Sequence, residues 1–185
     1  MRKPFAPLLA LLVATPFAAA QQAPRKAGEW TIQMPAGKPV LLSSYRGKVV
    51  ALGFILTTCP HCQKTTGILS RIQTEWRARG LQVLESAVQA DAWNAVPGFV
   101  QTFHPSFPVG YDDNAQAVLD FTGFSHARLP LMPIVLLIDR EGMVRFEHDG
   151  HDDAFFGDQQ DQNFRRELDE LLKSPVKRTE AKSKK

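Results

Sequence analysis

The sequence is poor in cysteine, with two in 185 residues. This scarcity excludes a small scaffold held together by many disulfides, and it excludes a metal site built from four thiolates. No apolar run reaches the roughly 18 uninterrupted residues that a membrane-spanning helix needs, which excludes a polytopic membrane protein. Hydrophobic residues nevertheless make up 44% of the chain, which is enough for one globular domain of ordinary size.

The chain also lacks a basic stretch in its central part. The formal net charge of +3 comes from the two ends, since Arg2 and Lys3 lie at the start and Lys or Arg dominates between Lys173 and Lys185. The residues between these ends carry a small net negative charge. A nucleic-acid-binding domain needs a basic surface on its folded body, so we expect no nucleic-acid partner. Residues 174–185 are predicted to form a basic, disordered tail.

Residues 1–20 have the pattern of a secretory signal peptide. Arg2 and Lys3 supply a positive start, Leu8–Val13 an apolar centre, and Ala18–Ala20 the small residues that precede a cleavage site. An uncleaved anchor helix is the alternative, but the apolar run is short and two prolines interrupt it. We therefore expect the segment to be removed, with no stable membrane insertion afterwards.

Cleavage at that site leaves a mature chain that begins at Gln21. Residues 21–28 then form a polar linker, and residues 29–173 form a single folded domain. Export places both cysteines in an oxidising compartment, for which the bacterial periplasm is the expected location.

Apolar runs alternate with amphipathic segments along the domain, as in an α/β fold. Val49–Leu56 is continuously apolar and suits a strand buried on both faces. Apolar residues at helical spacing follow it as far as Gly80, and a second such helix covers residues 162–173. The remaining predicted strands are Trp30–Met34, Val40–Leu42, Leu81–Val88, Phe107–Tyr111, Ile134–Asp139 and Met143–Glu147, and the remaining helices are Val96–His104 and Ala115–Phe121. This order predicts a three-layer sandwich with helices on both faces of a central mixed sheet.

Cys59 and Cys62 lie where the buried strand gives way to the first helix. Pro60 suits a first helical turn, so Cys59 is placed at the helix N-terminus, where unpaired N–H groups and the helix dipole stabilise a thiolate. A cationic His61 would act in the same direction. Cys62 lies nearly one turn further on and is shielded from solvent. The spacing therefore predicts a redox pair in which Cys59 attacks and Cys62 resolves the mixed disulfide.

Other interpretations of the cysteine pair are weaker. A zinc site needs further ligands, but the other histidines show no paired spacing on a predicted helix. A purely structural disulfide would close so short a loop that it would constrain the unfolded chain little. The run His148–Asp153 is similar to a metal-binding string, yet its turn-forming residues favour a solvated loop.

Together these residues resemble the thioredoxin-like proteins of the TlpA/ResA and AhpC-TSA (redoxin) group. The resemblance extends over residues 34–172, and its Cys-Pro-His-Cys motif is similar to that of DsbA-type disulfide oxidases. Its other matches are Gly47–Val50 leading into the buried strand, Phe107–Val109 with its Asp112 turn, and Pro133 with the hairpin Ile134–Gly142. The resemblance implies a thioredoxin-like fold with a central insertion, thiol–disulfide exchange with protein thiols or disulfides, a membrane or soluble electron-transfer partner, and no bound cofactor.

The resemblance also assigns residues around the sulfur of Cys59. It implies a cis bond before Pro133, which turns the backbone of Met132 towards Cys59, where it can pair with an extended substrate segment. Thr58 stands where many of these proteins have Trp, and it joins Met132 and Pro133 among the expected substrate-binding residues. Pro60 and His61 are expected to tune the reactivity of Cys59.

Besides Thr58, one position and one stretch depart from the family pattern. Gly53 stands six residues before Cys59, where many members carry a buried acid, so the resemblance assigns no proton acceptor to Cys62. The stretch Ser125–Leu131 before Pro133 is longer than usual, which would reshape a substrate groove.

Two other functions remain as alternatives. A peroxiredoxin-like peroxidase of the AhpC-TSA type needs Pro and Thr at fixed positions before its cysteine, and neither stands at those positions before Cys59. A metal or copper chaperone of the Sco type uses a pair of cysteines with one more residue between them than Cys59 and Cys62 have.

Overall fold

The computed structural model describes residues 24–112, 114–124 and 128–174. The predicted signal peptide, the start of the predicted linker, part of the stretch before Pro133 and nearly all of the predicted tail lie outside these ranges. The strands are β1 (Arg25–Lys26), β2 (Thr31–Ile32), β3 (Val40–Leu41), β4 (Val49–Ile55), β5 (Leu81–Ala87), β6 (Val109–Tyr111), β7 (Ile134–Ile138) and β8 (Met143–His148). The α-helices are α1 (Pro60–Trp76), α2 (Ala92–Phe103), α3 (Ala115–Phe121), α4 (Asp153–Phe156) and α5 (Gln160–Lys173). No helix within the described ranges is long and apolar enough to cross a bilayer.

Strand β4 lies at the centre of a mixed sheet with the order β1-β8-β7-β4-β5-β6. It pairs in parallel with β5 and antiparallel with β7. Every residue of β4 is buried, as expected for a strand covered on both faces. Helices α2 and α3 and strand β6 lie between β5 and β7 in the chain, as the implied central insertion requires. The structure confirms the predicted mixed sheet flanked by helices.

The sheet separates two apolar clusters. One packs under α1, α2 and α5 and contains fully buried Leu69 and Phe164. The other lies on the opposite face, under α3 and the small β2–β3 sheet, where the rings of Trp30 and Phe54 meet edge to face at 4.8 Å. Because α1 packs against only one face, the cysteines at its start belong to the first cluster.

The predicted linker is wrong from Arg25 onward. Residues 25–26 form β1, which pairs antiparallel with β8 at the edge of the sheet. The Arg25 guanidinium donates to the Glu147 carboxylate at 3.0 Å, and Ala27 is buried. A polar segment can add to a sheet edge through its backbone alone, and composition does not report this. The folded domain therefore begins before residue 29.

Helix α2 begins four residues earlier than predicted, with Pro97 inside it instead of in its first turn. Helix α4 was not predicted, because four residues are too few to show a helical period.

The predicted solvated loop after β8 is also wrong in its first two residues. His148 is largely buried and lies between two carboxylates, with Nδ1 2.8 Å from Asp152 and Nε2 2.9 Å from Glu167. Its ring stacks on Phe155 with centroids 3.6 Å apart. In the described ranges, no group of three or more His, Cys, Asp or Glu side chains is arranged to hold a metal. The polar string is thus a hydrogen-bonded structural unit.

The same loop holds the segment that precedes Pro133. The Leu131 N–H donates to the buried Asp149 carboxylate at 3.0 Å, and the Gly150 N–H donates to the Leu131 carbonyl at 2.7 Å. These two bonds link the end of β8 to the segment beside the cysteines.

We expect the contribution of His148 to stability to fall as the pH rises. Burial lowers the pKa of His148, but the hydrogen bonds and charges of Glu167 and Asp152 outweigh it, so the pKa lies above its ordinary value. A raised pKa means that the charged pairing stabilises the fold fully below the unfolded pKa of about 6.5 and is lost above the folded pKa. His148→Gln should therefore lower the free energy of unfolding by roughly 1.5–3 kcal/mol at pH 6, the range for hydrogen bonds to charged groups. The difference should shrink at pH 9 in urea titrations, and a constant difference would contradict the assignment.

Strand β6 approaches the segment after β2 very closely. Tyr111 and Gln33 exchange two backbone hydrogen bonds, at 2.8 and 2.9 Å. A Cβ atom on neighbouring Gly110 would lie 2.2 Å from the Gln33 carbonyl oxygen. Glycine is required there because there is no room for a side chain.

Gly110→Ala is expected to destabilise the fold, by about 1–3 kcal/mol as for other overpacked sites. Gly98→Ala is the matched control. Gly98 lies inside α2, and a Cβ atom there would meet nothing within 4 Å. That control should instead stabilise the protein by roughly 0.5–1 kcal/mol. Urea unfolding of both variants measures the contrast, and equal effects would show that the close approach is not restrictive.

Candidate active site

The two cysteines lie at the junction between β4 and α1. Strand β4 ends at Ile55, and the Cys59 N–H donates to the Leu56 carbonyl at 3.1 Å, which closes a tight turn. Cys59 is the N-cap of α1 with an extended backbone, and Pro60 occupies the first helical turn, as predicted. The Cys59 side chain is thus held at the end of a helix whose first N–H groups are unpaired.

Cys62 is completely buried, whereas Cys59 is partly exposed, and both are free thiols. The Cys62 sulfur accepts a hydrogen bond from the Leu56 N–H at 3.5 Å. Burial raises the pKa of the Cys62 thiol far above its ordinary value, and the neighbouring Cys59 and Glu85 raise it further. The described geometry therefore gives one accessible sulfur and one shielded, protonated sulfur in the same helical turn.

The segment before β7 forms one wall of the site. The Met132–Pro133 bond is cis, as the resemblance implies, and the Met132 carbonyl oxygen lies 3.9 Å from the Cys59 sulfur. Pro133 is buried, while Leu129 and Leu131 on the same segment are exposed. Met132 therefore presents backbone next to the reactive sulfur, with apolar side chains nearby.

The other residues expected at the site are exposed around Cys59. Thr58 precedes it, and Pro60 and His61 follow it on the outer side of the first turn of α1. The structure thus brings all seven expected site residues to one place.

A pair of glutamines, which the sequence analysis did not identify, fixes the loop before Cys59. The Gln89 side chain accepts from the Thr57 N–H at 3.2 Å and bonds the Thr57 hydroxyl, and the Gln63 side chain donates to the Thr57 carbonyl at 2.9 Å. Thr57 and Gln89 are 32 residues apart, so no local sequence pattern could reveal their contact.

The sequence analysis also missed a buried acid beneath the helix that begins at the cysteines. Glu85 lies in the middle of β5, in register with Gly53 of β4, and is fully buried. Burial raises the pKa of the Glu85 carboxyl to about 8. A carboxyl group is therefore present beside position 53, although position 53 itself is glycine. The available signal was a glutamate in the middle of the predicted strand Leu81–Val88.

Two curated thiol–disulfide oxidoreductases are similar to this chain in sequence. The ResA thiol-disulfide oxidoreductase of Bacillus subtilis is 32% identical over 108 residues, which cover 58% of this chain and 56% of that protein. The ResA of Bacillus thuringiensis subsp. konkukian is 29% identical over 109 residues, or 58% of each chain. The chain thus spans just over half the length of these curated relatives.

A solved structure shows the same fold. The crystal structure of a thiol:disulfide interchange protein of the thioredoxin family from Chlorobium tepidum TLS aligns with a TM-score of 0.67 at 23% identity, over 83% of this chain and 99% of that one. The fold is therefore thioredoxin-like. The family model described as Redoxin matches residues 19–163. Because this match includes the cysteine pair, the cis-proline segment and most of the sheet, the chain belongs to the Redoxin family.

Proposed function

We propose that this protein is an exported thiol–disulfide oxidoreductase that exchanges disulfides with protein substrates through Cys59 and Cys62. The observation that carries the proposal is the asymmetric pair, with a partly exposed Cys59 at a helix N-terminus and a buried Cys62 behind it. The oxidoreductase names of the ResA relatives support the same activity.

The reductive direction begins with the Cys59 thiolate. It attacks a substrate disulfide, forms a bond to one substrate sulfur and releases the other as a thiolate. Cys62 then gives up its proton and attacks Cys59, which forms the Cys59–Cys62 disulfide and expels the second substrate thiolate. Two electrons pass to the substrate. The oxidative direction is the same sequence reversed, and an electron-transfer partner in the membrane or in solution restores the starting state.

The surrounding residues act on the substrate and on Cys59. The Met132 backbone offers a carbonyl beside the sulfur, so an extended substrate segment can pair there as an added strand. Thr58 and buried Pro133 complete that contact, while Pro60 and His61 in the first turn of α1 border Cys59 and tune its reactivity.

Cys62→Ser is expected to accumulate mixed disulfides with protein substrates, because Cys59 can still attack but nothing resolves the product. Cys59→Ser should form none and should lose insulin-reducing activity, since its remaining thiol is buried. Non-reducing gels after acid quenching measure the trapped adducts. Equal trapping by the two variants would contradict the roles assigned to the two sulfurs.

Peroxide consumption or stoichiometric copper binding without insulin reduction would instead favour the peroxidase or the copper chaperone.

Export is expected to remove residues 1–20 of the chain. Protein recovered from the periplasmic fraction of a bacterial host should begin at or near Gln21 by N-terminal sequencing. Recovery of an intact Met1 from the membrane fraction would contradict cleavage and favour the anchor helix.

A further inference from the structure

Gly53 and Glu85 form a complementary pair across β4 and β5. Both belong to the face of the sheet that packs under α1, since each lies two residues along its strand from members of that apolar cluster. A Cβ atom at position 53 would lie 3.1 Å from Cγ of Glu85, which is tighter than ordinary packing allows. The glycine therefore leaves the room that the long Glu85 side chain occupies.

Glu85 is connected to the turn of α1 that carries Cys62. The Thr66 hydroxyl lies 3.0 and 2.8 Å from the two carboxyl oxygens of Glu85 and 3.0 Å from the Cys62 carbonyl oxygen. Thr66 is itself fully buried, so these contacts are closed to solvent.

The Thr66 hydroxyl has one proton for these two acceptors, so its bonding depends on the state of Glu85. If Glu85 is ionised, the hydroxyl donates to the carboxylate and not to the Cys62 carbonyl. If Glu85 is neutral, its carboxyl group donates its own proton to the Thr66 oxygen, and the Thr66 hydroxyl donates to the Cys62 carbonyl oxygen. Only the neutral state satisfies the whole chain of hydrogen bonds, which agrees with the raised pKa of Glu85. Because this pKa is about 8, a fraction of the protein carries an ionised Glu85 at pH 7, and this fraction can accept a proton.

We propose that Glu85 is the proton acceptor for Cys62 during resolution of the mixed disulfide. This inference rests on the proposed oxidoreductase function and assigns a group that the function requires. In this step the Cys62 proton passes to the Glu85 carboxylate, the Cys62 sulfur bonds to Cys59, and the substrate sulfur leaves with the electron pair of the broken bond. The reverse step returns the proton to Cys62.

Among the groups around Glu85, Cys62 is the one whose ionisation responds to the charge of Glu85. On the sheet, Glu85 is flanked by Gly53 of β4 and Val109 of β6, neither of which is charged. From α1 it meets Thr66, and its charge acts on Cys62, whose pKa it raises. Two effects of removing the charge therefore oppose each other. Without a role in proton transfer, loss of the charge makes Cys62 easier to ionise and speeds resolution; with that role, it removes the acceptor and slows resolution.

The test uses the reduced full-length protein and its Glu85→Gln variant with an aromatic disulfide, dithio-bis-nitrobenzoate, in a rapid-mixing experiment. The first release of coloured thiolate reports attack by Cys59, and the second reports resolution by Cys62. We expect Glu85→Gln to slow the second release at pH 7 by at least tenfold, and to leave the first release within about twofold of wild type. General acid–base catalysis contributes ~10²–10⁴-fold, but only a fraction of Glu85 is ionised at this pH. The wild-type second phase should accelerate with pH through a midpoint near that of Glu85, and the variant should lack that midpoint.

Asp139→Asn is the matched control. Asp139 is a buried carboxylate that follows β7, where the register places it beside the start of β4 and so at the end of the sheet away from Cys59. It bonds the Arg145 guanidinium at 2.6 Å. Its loss should leave both phases within about twofold. A second phase in Glu85→Gln that equals or exceeds the wild-type rate would overturn the assignment.

A second measurement covers the case in which Glu85→Gln does not fold. In infrared difference spectra of the oxidised and reduced wild type, a neutral-carboxyl band that changes with the redox state supports Glu85, and no change overturns its role. Failure of the proposed function looks different. In that case the wild type releases only one thiolate and does not reduce insulin, and the assignment of Glu85 falls with it.

Discussion

The parallel pairing of β4 with β5 determines what surrounds the two sulfurs. Strand β4 delivers the chain to the start of α1, and its burial on both faces fixes where that start lies. The same pairing sets Gly53 beside Glu85, so the register of these two strands decides which carboxyl group lies beneath the turn of α1 that carries Cys62. A slip of one residue would turn Glu85 to the opposite face, because side chains alternate along a strand.

The reactive sulfur depends on a second, independent support. The backbone of Met132 lies against Cys59, and the segment that carries it is held by Asp149 and Gly150 from the loop after β8. That loop follows His148, the last residue of β8, which two carboxylates and the ring of Phe155 hold in place. One side of the site is therefore built on the centre of the sheet, and the other is held by a polar cluster near its edge.

The sequence predicts the parts of this arrangement that depend on local pattern. The apolar run of β4, the proline after Cys59 and the helical period of α1 were enough to place the cysteine pair, and the family resemblance supplied the cis bond before Pro133. What it missed depends on distant partners. Strand β1 exists only because β8 offers an unpaired edge, and Gln89 acts only through Thr57. Glu85 was visible as a charge in an apolar strand, but its relation to Gly53 depends on strand register, which one sequence does not reveal.

Positions 53 and 85 consequently share one volume between two strands. A side chain added to β4 at 53 has space only if the residue at 85 becomes shorter, so substitutions at the two positions should be non-additive in their effect on stability. A comparison that inspects position 53 alone would conclude that the buried acid has been lost. The two positions are instead read together: a carboxyl group carried by either β4 or β5 occupies the same interior space beneath α1.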